Sequence, residues 1–417
     1  MFALVDINGF YAYAEAVFDL SLRHRPVIVL TNNDGCVCAM NRQAKALNIP
    51  RFAPYFKVKQ QCERHGVAVR SSNYELYADL SNKFSNLLTQ FCSDMHVYSI
   101  DEVFLNLSGM TKLWPDLTLL GHAIRRCIWT QLRLPVCVGI ANTLTLAKAA
   151  NHAAKKIPEY QGVCTIHSVK QRQAILTQMS PQDVWGVGRR IAKRLPLLAV
   201  NNAFELAQMN PHFARAHFNI DMANTVRELN ADAVKTWDKV RADKQQIFST
   251  RSFGERVTDA QSLNQALVQH GAIAAKKARE QGSLCHTMMA FAASSPFDDK
   301  PRAFKHFHHF HVATNDTAVI ANALTDNLHK LFQPGVPYYR VGVGLLELAN
   351  EQHQQLDMFS GSKNNPALMQ CIDTINARFG QCITVAGEGI TKPWSMKRNF
   401  LSPQYTTRWQ HIPKIRC

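Results

Sequence analysis

The chain opens with an apolar run, Phe2–Val5, that stops at Asp6. A second run, PVIVLT at 26–31, is closed by the turn-forming NNDG at 32–35, and both read as strands. Residues 39–48 and 71–88 repeat apolar positions at helical spacing, the latter behind Ser and Asn caps. MHVYSI at 95–100 and VFLNL at 103–107 are strand-like and meet at Asp101 and Glu102, like the arms of a hairpin. Residues 115–132 suit a helix, 134–140 a strand, and 143–156 a helix that carries lysines. This order predicts an antiparallel sheet backed by helices, of ferredoxin-like type. Residues 168–235 lack strand patterns and predict an all-helical unit. RSFGERV at 251–257 opens a strand-rich unit, in which 304–314 and 338–348 alternate like strands of one sheet. Helical patterns at 260–280 and 316–332 precede them. After Ala349 the chain turns polar and Gln/Asn-rich, as an exposed linker does. There is no repeat at a fixed period.

With 417 residues the chain exceeds one hydrophobic core and implies roughly three or four domains. No stretch approaches the ~18 uncharged apolar residues of a membrane span. The N-terminus reaches Asp6 without a basic region, unlike a signal peptide. Eleven cysteines are scattered, and Cys36 and Cys38 lack C-x-x-C spacing, so they are expected to be reduced thiols in a cytosolic protein. The net charge of +16, from 47 Lys and Arg against 31 Asp and Glu, favours a polyanionic partner, DNA or RNA.

An Asp-Glu pair alone is weak evidence of chemistry. Here Asp6 also ends an apolar run. If the hairpin pairs beside that run, three carboxylates gather at one sheet edge, where burial and mutual repulsion would raise their pKa values. A divalent cation removes that penalty. Magnesium takes one or two carboxylates with phosphates and water, and two such ions suit in-line phosphoryl displacement. Neighbours in a regular strand point oppositely, so Asp101 and Glu102 reach one site only if the strand ends or turns there.

DINGFYA at 6–12, SNYELYADLS at 72–81, YSIDEVF at 98–104 and GIANTLTLAKAANHAAK at 139–155 resemble the Y-family translesion DNA polymerases. NNDGCV at 32–37, RSFGERVTD at 251–259 and WSMKRNFLSPQYTTRW at 394–409 resemble its UmuC branch. The resemblance runs nearly end to end. It implies a multidomain α/β (α+β) right-hand polymerase: a ferredoxin-like palm (1–11 and 72–167), small fingers (12–71), a helical thumb (168–237), an α/β little finger (245–350) and a C-terminal tail (351–417). It also implies that Asp6 and Asp101 bridge two Mg2+ ions, with Mn2+ as a substitute. Glu102 would hold the ion at the primer 3′-hydroxyl, and the Ile7 carbonyl the ion at the nucleotide. Tyr11 would be the steric gate against ribose. Lys45 and Lys155, with Arg42 one turn from Lys45, would meet the triphosphate of the incoming dNTP. Two departures stand out: Gly9, expected to loosen the strand end, and Leu144, where a lysine is often seen.

VWGVGRRIAKRL at 184–195 resembles the hairpin of a helix-hairpin-helix, in which Gly186 and Gly188 let backbone N–H groups approach a DNA phosphate beside Arg189 and Arg190. Arg251 begins a strand expected to hold duplex DNA. The histidines of KHFHHFH at 305–311 alternate between two faces, open to DNA, solvent or zinc. QLDMF at 355–359 resembles the sliding-clamp pentapeptide, with Gln355, Leu356, Met358 and Phe359 as anchors. Beyond Glu388 the tail is basic. By resemblance it holds a UmuD′ dimer, although its charge and tryptophans serve DNA equally well. The expected partners are therefore primer-template DNA, dNTP, UmuD′, RecA and the β clamp, in the bacterial cytoplasm near the nucleoid and away from membranes. The leading expectation is an error-prone translesion polymerase without proofreading, acting in the SOS response. A palm-fold nucleotide cyclase and a non-catalytic DNA-binding scaffold are the alternatives.

Overall fold

The computed structural model describes residues 1–237, 243–353 and 364–412. Their contacts divide into two compact units, Met1–Val240 with Asn399–Cys417, and Arg241–Arg398. The chain thus leaves the first unit once and rejoins it near its end.

The first unit runs β1 (Phe2–Ile7), α1 (Phe10–Phe18), β2 (Val27–Leu30), β3 (Val37–Met40), α2 (Arg42–Ala46), α3 (Tyr55–Arg64), β4 (Ala68–Ser71) and α4 (Tyr74–Leu88). It continues with β5 (Met95–Val97), β6 (Glu102–Asn106), α5 (Leu117–Leu132), β7 (Val136–Ala141), α6 (Leu144–Lys156) and β8 (Val163–Thr165). Five strands form one sheet in the order β5-β6-β1-β7-β8, antiparallel except for the β7–β8 edge. Alternation along β1 divides its residues between two cores. Ala3, Val5 and Ile7 pack with α1, α4 and α5, whereas Leu4 packs with α6. Residues 27–71 supply a separate three-stranded sheet, β3-β2-β4, with its own small core. The helical pattern expected over 39–48 starts only at Arg42, because Val37–Met40 pairs with β2 and Asn41 caps α2.

Five helices follow: α7 (Val169–Thr177), α8 (Arg189–Arg194), α9 (Ala203–Gln208), α10 (Pro211–His217) and α11 (Ile220–Leu229). They share the core of α6. Glu228, fully buried, accepts from Thr145 N at 2.9 Å and so ties α11 to the start of α6.

The second unit runs β9 (Ile247–Val257), α12 (Ala260–Glu280), β10 (Ser283–Ala293), β11 (Ala303–Thr314), α13 (Thr317–Asp326), β12 (Tyr338–Asn350) and α14 (Pro366–Phe379). The sheet order is β11-β10-β12-β9. β11 and β12 do share a sheet, as their patterns predict, but β10 lies between them. The polar tail is divided: α14 and Trp394 pack in the second unit, where Trp394 meets Phe253 edge-on at 6.1 Å, and Asn399 onward belongs to the first.

Candidate active site

β1 is the middle strand of its sheet, and its end brings Asp6 and Ile7 to a cleft. Asp6 pairs with Glu102 of β6 on one side and Cys137 of β7 on the other. Paired residues share a face, and this is the face covered by α6. Asp101 is outside the strand. Tyr98 N and Ser99 N both donate to the Glu102 carbonyl, at 3.0 and 3.1 Å, closing a turn between β5 and β6. Ile7 N donates to the Asp101 carbonyl at 2.9 Å, and Ser99 Oγ to Asp101 Oδ1 at 2.6 Å. The strand therefore ends where the sequence requires it to end. Asp6, Ile7, Asp101 and Glu102 all line one cleft of ≈ 490 Å³.

Cations from α6 answer these carboxylates. Lys155 Nζ lies 2.6 Å from Asp6 Oδ2, and Lys148 Nζ 2.8 Å from Glu102 Oε1. Burial pushes the Asp6 carboxyl up to about 6; Glu102 and Asp101 push the same way, and Lys155 opposes them. Lys148 also lies over the rings of Tyr98 and Trp185, at 4.4 and 5.4 Å from their centroids. No motif singles it out, although its position one turn from Asn151 and two from Lys155 marks a common helix face. Asn151 fixes that face by donating to the Leu4 and Cys137 carbonyls at 3.3 and 2.9 Å. Close approach depends on Gly139 of β7, where a Cβ would stand 2.1 Å from Asn151 N and 2.3 Å from the Ala147 carbonyl oxygen.

Hard oxygen donors, one of them raised in pKa by burial, are the donor set a divalent cation stabilises. Among the described residues no three His, Cys, Asp or Glu side chains group closely enough to hold an ion by themselves. Lysines stand among the carboxylates instead. The set fits an ion that takes only part of its shell from protein and the rest from phosphate and water.

Gly9 does not loosen the strand. It adopts φ 58°, turns the chain into α1, and a Cβ there would come within 2.7 Å of the Met40 carbonyl oxygen. Tyr11 lines the cleft and stacks on Tyr77, with centroids 4.4 Å apart and planes at 13°. Burial pushes its hydroxyl up to about 12. Lys45 and Lys155 line the same cleft. Arg42 is exposed on α2 and stands outside the lining; Arg51, from the turn after Pro50, lines it instead. No spacing rule points to Arg51. Leu144 is buried with Leu4 and Phe104, so its side chain adds nothing to the cleft, and a lysine would not fit that core.

Gly186 adopts φ 95°, and Gly188 caps the short α8, with Arg189 and Arg190 exposed beside it. Trp185 Nε1 donates to the Tyr98 hydroxyl at 3.1 Å, joining this turn to the β5–β6 hairpin. In the second unit Arg251 is exposed but pairs with the core residue Val341, on the helix-covered side of the sheet. The opposite face carries Phe248, Phe291 and Phe307, with Lys305 over Phe307 at 4.9 Å and Arg340 over Phe291 at 5.6 Å. Gly342 and Gly344 leave room for two of these rings, since a Cβ would approach Phe291 and Phe248 to 2.5 and 2.3 Å. His306 and His308 point one way along β11 and His309 and His311 the other; no metal-binding group forms among the described residues. Gln355, Leu356, Met358 and Phe359 lie outside the described residues. Every described cysteine is a free thiol, and no helix among the described residues is long and apolar enough to cross a membrane.

A family model described as the impB/mucB/samB family matches residues 5–152, and that of its C-terminal domain matches 244–358. A third model, a domain of unknown function, matches 366–415. The chain is 39% identical to Protein UmuC of Salmonella typhimurium over 100% of both chains, and 36% identical to Protein MucB of Escherichia coli over 99% of both. It is 25% identical to DNA polymerase IV of Bacillus cereus over 63% of this chain and 60% of that one. Among solved structures, a Y-family DNA polymerase chimera of Dbh and Dpo4 superposes with a TM-score of 0.64 at 19% identity, covering 84% of this chain and 99% of the chimera. An insertion ternary complex of Dbh DNA polymerase gives 0.53 at 19%, covering 83% and 98%. With 39% and 36% identity to UmuC and MucB over essentially the whole of each chain, the chain belongs to the impB/mucB/samB family, in the UmuC branch of the Y-family DNA polymerases.

Proposed function

We propose that this Y-family DNA polymerase extends a primer across damaged template by two-metal phosphoryl transfer, error-prone and without proofreading, in the SOS response. The observation that supports this most is the convergence of Asp6, Asp101, Glu102, Tyr11, Lys45 and Lys155 on one cleft. Asp6, Asp101, Glu102 and the Ile7 carbonyl are the groups that would hold two Mg2+ ions, or Mn2+ in their place. Bound there, the ions would lower the pKa of the primer hydroxyl and neutralise charge on the phosphates. The chain's own residues orient the reactants. Lys45, Lys155 and Arg51 offer positive charge to a triphosphate, and the Tyr11 ring closes the floor under the sugar. Lys155 holds Asp6 until a nucleotide arrives and then exchanges a carboxylate for a phosphate.

In this reading residues 1–11 and 72–167 are the palm, 12–71 the fingers, 168–237 the thumb and 245–350 the little finger. Gly186, Gly188, Arg189 and Arg190 offer backbone N–H groups and charge to DNA phosphates. The aromatic and basic open face of the second unit, with Lys305 and Arg340, is a better duplex surface than Arg251, which sits on the other side. Binding there would track the backbone without reading sequence. UmuD′, RecA and the β clamp, the last through Gln355, Leu356, Met358 and Phe359, are the proposed protein partners, in the bacterial cytoplasm at the nucleoid.

The test is primer extension across an abasic site with Mg2+ and dNTPs, with and without UmuD′ and RecA. Asp101→Asn is the control. Lesion bypass that vanishes in Asp101→Asn is expected. Equal extension by that variant would refute the metal assignment. A cyclic product from a lone triphosphate would favour a cyclase, and DNA binding with no extension a scaffold.

A further inference from the structure

Part of the matched segment of unknown function, residues 399–405, packs against the first unit. Within the first unit, Asn399 N donates to Asp34 Oδ2 at 2.8 Å. Phe400 exchanges two hydrogen bonds with Ser71: Ser71 N to the Phe400 carbonyl, and Phe400 N to Ser71 Oγ, each 3.0 Å. Asn73, fully buried, donates through Nδ2 to the Ser402 hydroxyl at 2.9 Å and to the Ser402 and Pro403 carbonyls at 3.2 and 3.3 Å. Tyr405 stacks on Phe18, at the far end of α1, with centroids 5.0 Å apart. Residues 399–405 therefore bind the loop after β2, the head of α4 and the far end of α1.

Those helices carry the gate. The Asn73 side chain also caps α4, and one turn on, Tyr77 presents its ring to Tyr11 at 4.4 Å. The Tyr77 hydroxyl donates to Glu15 Oε1 at 2.6 Å, and Glu15 lies one turn beyond Tyr11 on α1. Both Tyr77 and Glu15 are buried. Among the described residues Glu15 Oε2 has no hydrogen-bond partner and lies 4.0 Å from Arg70 Nε, so the Tyr77 hydroxyl on Oε1 is the bond that offsets the cost of burying this carboxylate and fixes the Tyr77 ring. Burial raises the Glu15 carboxyl above its ordinary value, and the hydroxyls of Tyr77 and Ser402 oppose that rise.

We propose that residues 399–405 form an intramolecular clasp whose contacts with Asn73 and Ser71 position Tyr77, and through it Tyr11, making the tail a determinant of nucleotide affinity and sugar discrimination. The pocket role rests on the polymerase reading above. Asn73, Tyr77 and Ser402 are positioning residues, since none of them lines the cleft.

The test uses the full chain. Asn73→Asp keeps the helix cap, which uses Oδ1, but removes the donor to the tail. Tyr77→Phe keeps the stack but removes the hydroxyl, and Ser402→Ala is the mildest change. Asn73→Asp is expected to raise the KM for dNTP about tenfold with kcat within about twofold, and to lower discrimination against ribonucleotides about fivefold. Amide exchange at residues 10–13 and 399–405 should quicken about tenfold. If Asn73→Asp unfolds, Tyr77→Phe and Ser402→Ala are read for the same shifts at smaller size. Unchanged exchange in all folded variants overturns the clasp, whether or not the chain extends primers. Faster exchange with unaltered KM and discrimination, in a chain that does extend primers, overturns its role in the pocket. A parent chain that extends no primer refutes the polymerase reading itself.

Discussion

Asp6 and Glu102 stand directly opposite one another across β1 and β6, and each is held by a lysine from the same face of α6. Two like charges in register destabilise a sheet. The pair persists because Lys155 and Lys148, seven positions apart, come down on them together. α6 is thus part of the site as much as of the core.

That compensation is incomplete at Asp6, whose carboxyl rises from 3.8 to about 6. A raised acid favours the fold while protonated, and this stability is lost as pH climbs from 3.8 through 6. Asp6→Asn should therefore abolish primer extension, by about 10³-fold or more. It should also raise the thermal midpoint at pH 8, by an amount corresponding to about 1–3 kcal/mol. Melting curves of both proteins at pH 4 and pH 8 check this, with the gain confined to the higher pH.

Tyr11→Ala should admit ribonucleotides, narrowing the dNTP-to-rNTP ratio of kcat/KM by about 100-fold. Single-nucleotide insertion with each sugar measures it. An unchanged ratio would remove Tyr11 from the gate.

Gly139→Ala asks whether α6 truly lies on the backbone of β7. A methyl at 2.1 Å from Asn151 N meets main chain, which cannot swing aside as a side chain can. The cost should exceed about 3 kcal/mol, and both lysines should leave their carboxylates. Denaturant unfolding reports the first effect. The weaker substitution Ala147→Gly, without added bulk, should leave the lysines in place.

Much of this site is readable along the chain because its carboxylates lie in short, patterned stretches. Asp6 ends a run of apolar residues, and Asp101 interrupts another where the hairpin must turn. What escaped the pattern did so for definite reasons. β10 reads SLCHTMMAFAA, rich in Met and Ala and poor in β-branched residues, so periodicity does not mark it as a strand. β4 and β8 are too short to show alternation. Spacing singles out Arg42, one turn from Lys45, whereas Arg51 lines the cleft only because the turn after Pro50 brings it there, which no local pattern marks. The bonds between Asn73 and Ser402 span 329 positions, and no local rule reaches that far.

His270 of α12 gives a second pH test. Burial, with Arg251 and Lys277 nearby, lowers its pKa from 6.5 to about 4, and Ser249 Oγ lies 2.8 Å from its Nδ1. A depressed histidine leaves stability intact above 6.5. As pH falls from 6.5 through 4 the unfolded chain takes up the proton first, so stability drops by about 3 kcal/mol. Amide exchange in α12 should quicken over that window in the parent and stay flatter in His270→Gln.

Lys305→Ala and Arg340→Ala should weaken binding to primer-template of any sequence. Each should also reduce the slope of log affinity against log salt by about 1. Arg251→Ala, on the covered side of the sheet, should change the slope less. Fluorescence anisotropy over a salt series separates the three.

The chain leaves the first unit and returns to it. Since it departs after Val240 and comes back at Asn399, the second unit is an insertion within the first and not an appendage to it. Exchanging that unit between relatives therefore needs two splice points. A hybrid made at a single junction near 240 would also import a foreign 399–412, and with it new partners for Asp34, Ser71 and Asn73. Its altered behaviour would then be credited to the wrong half of the molecule.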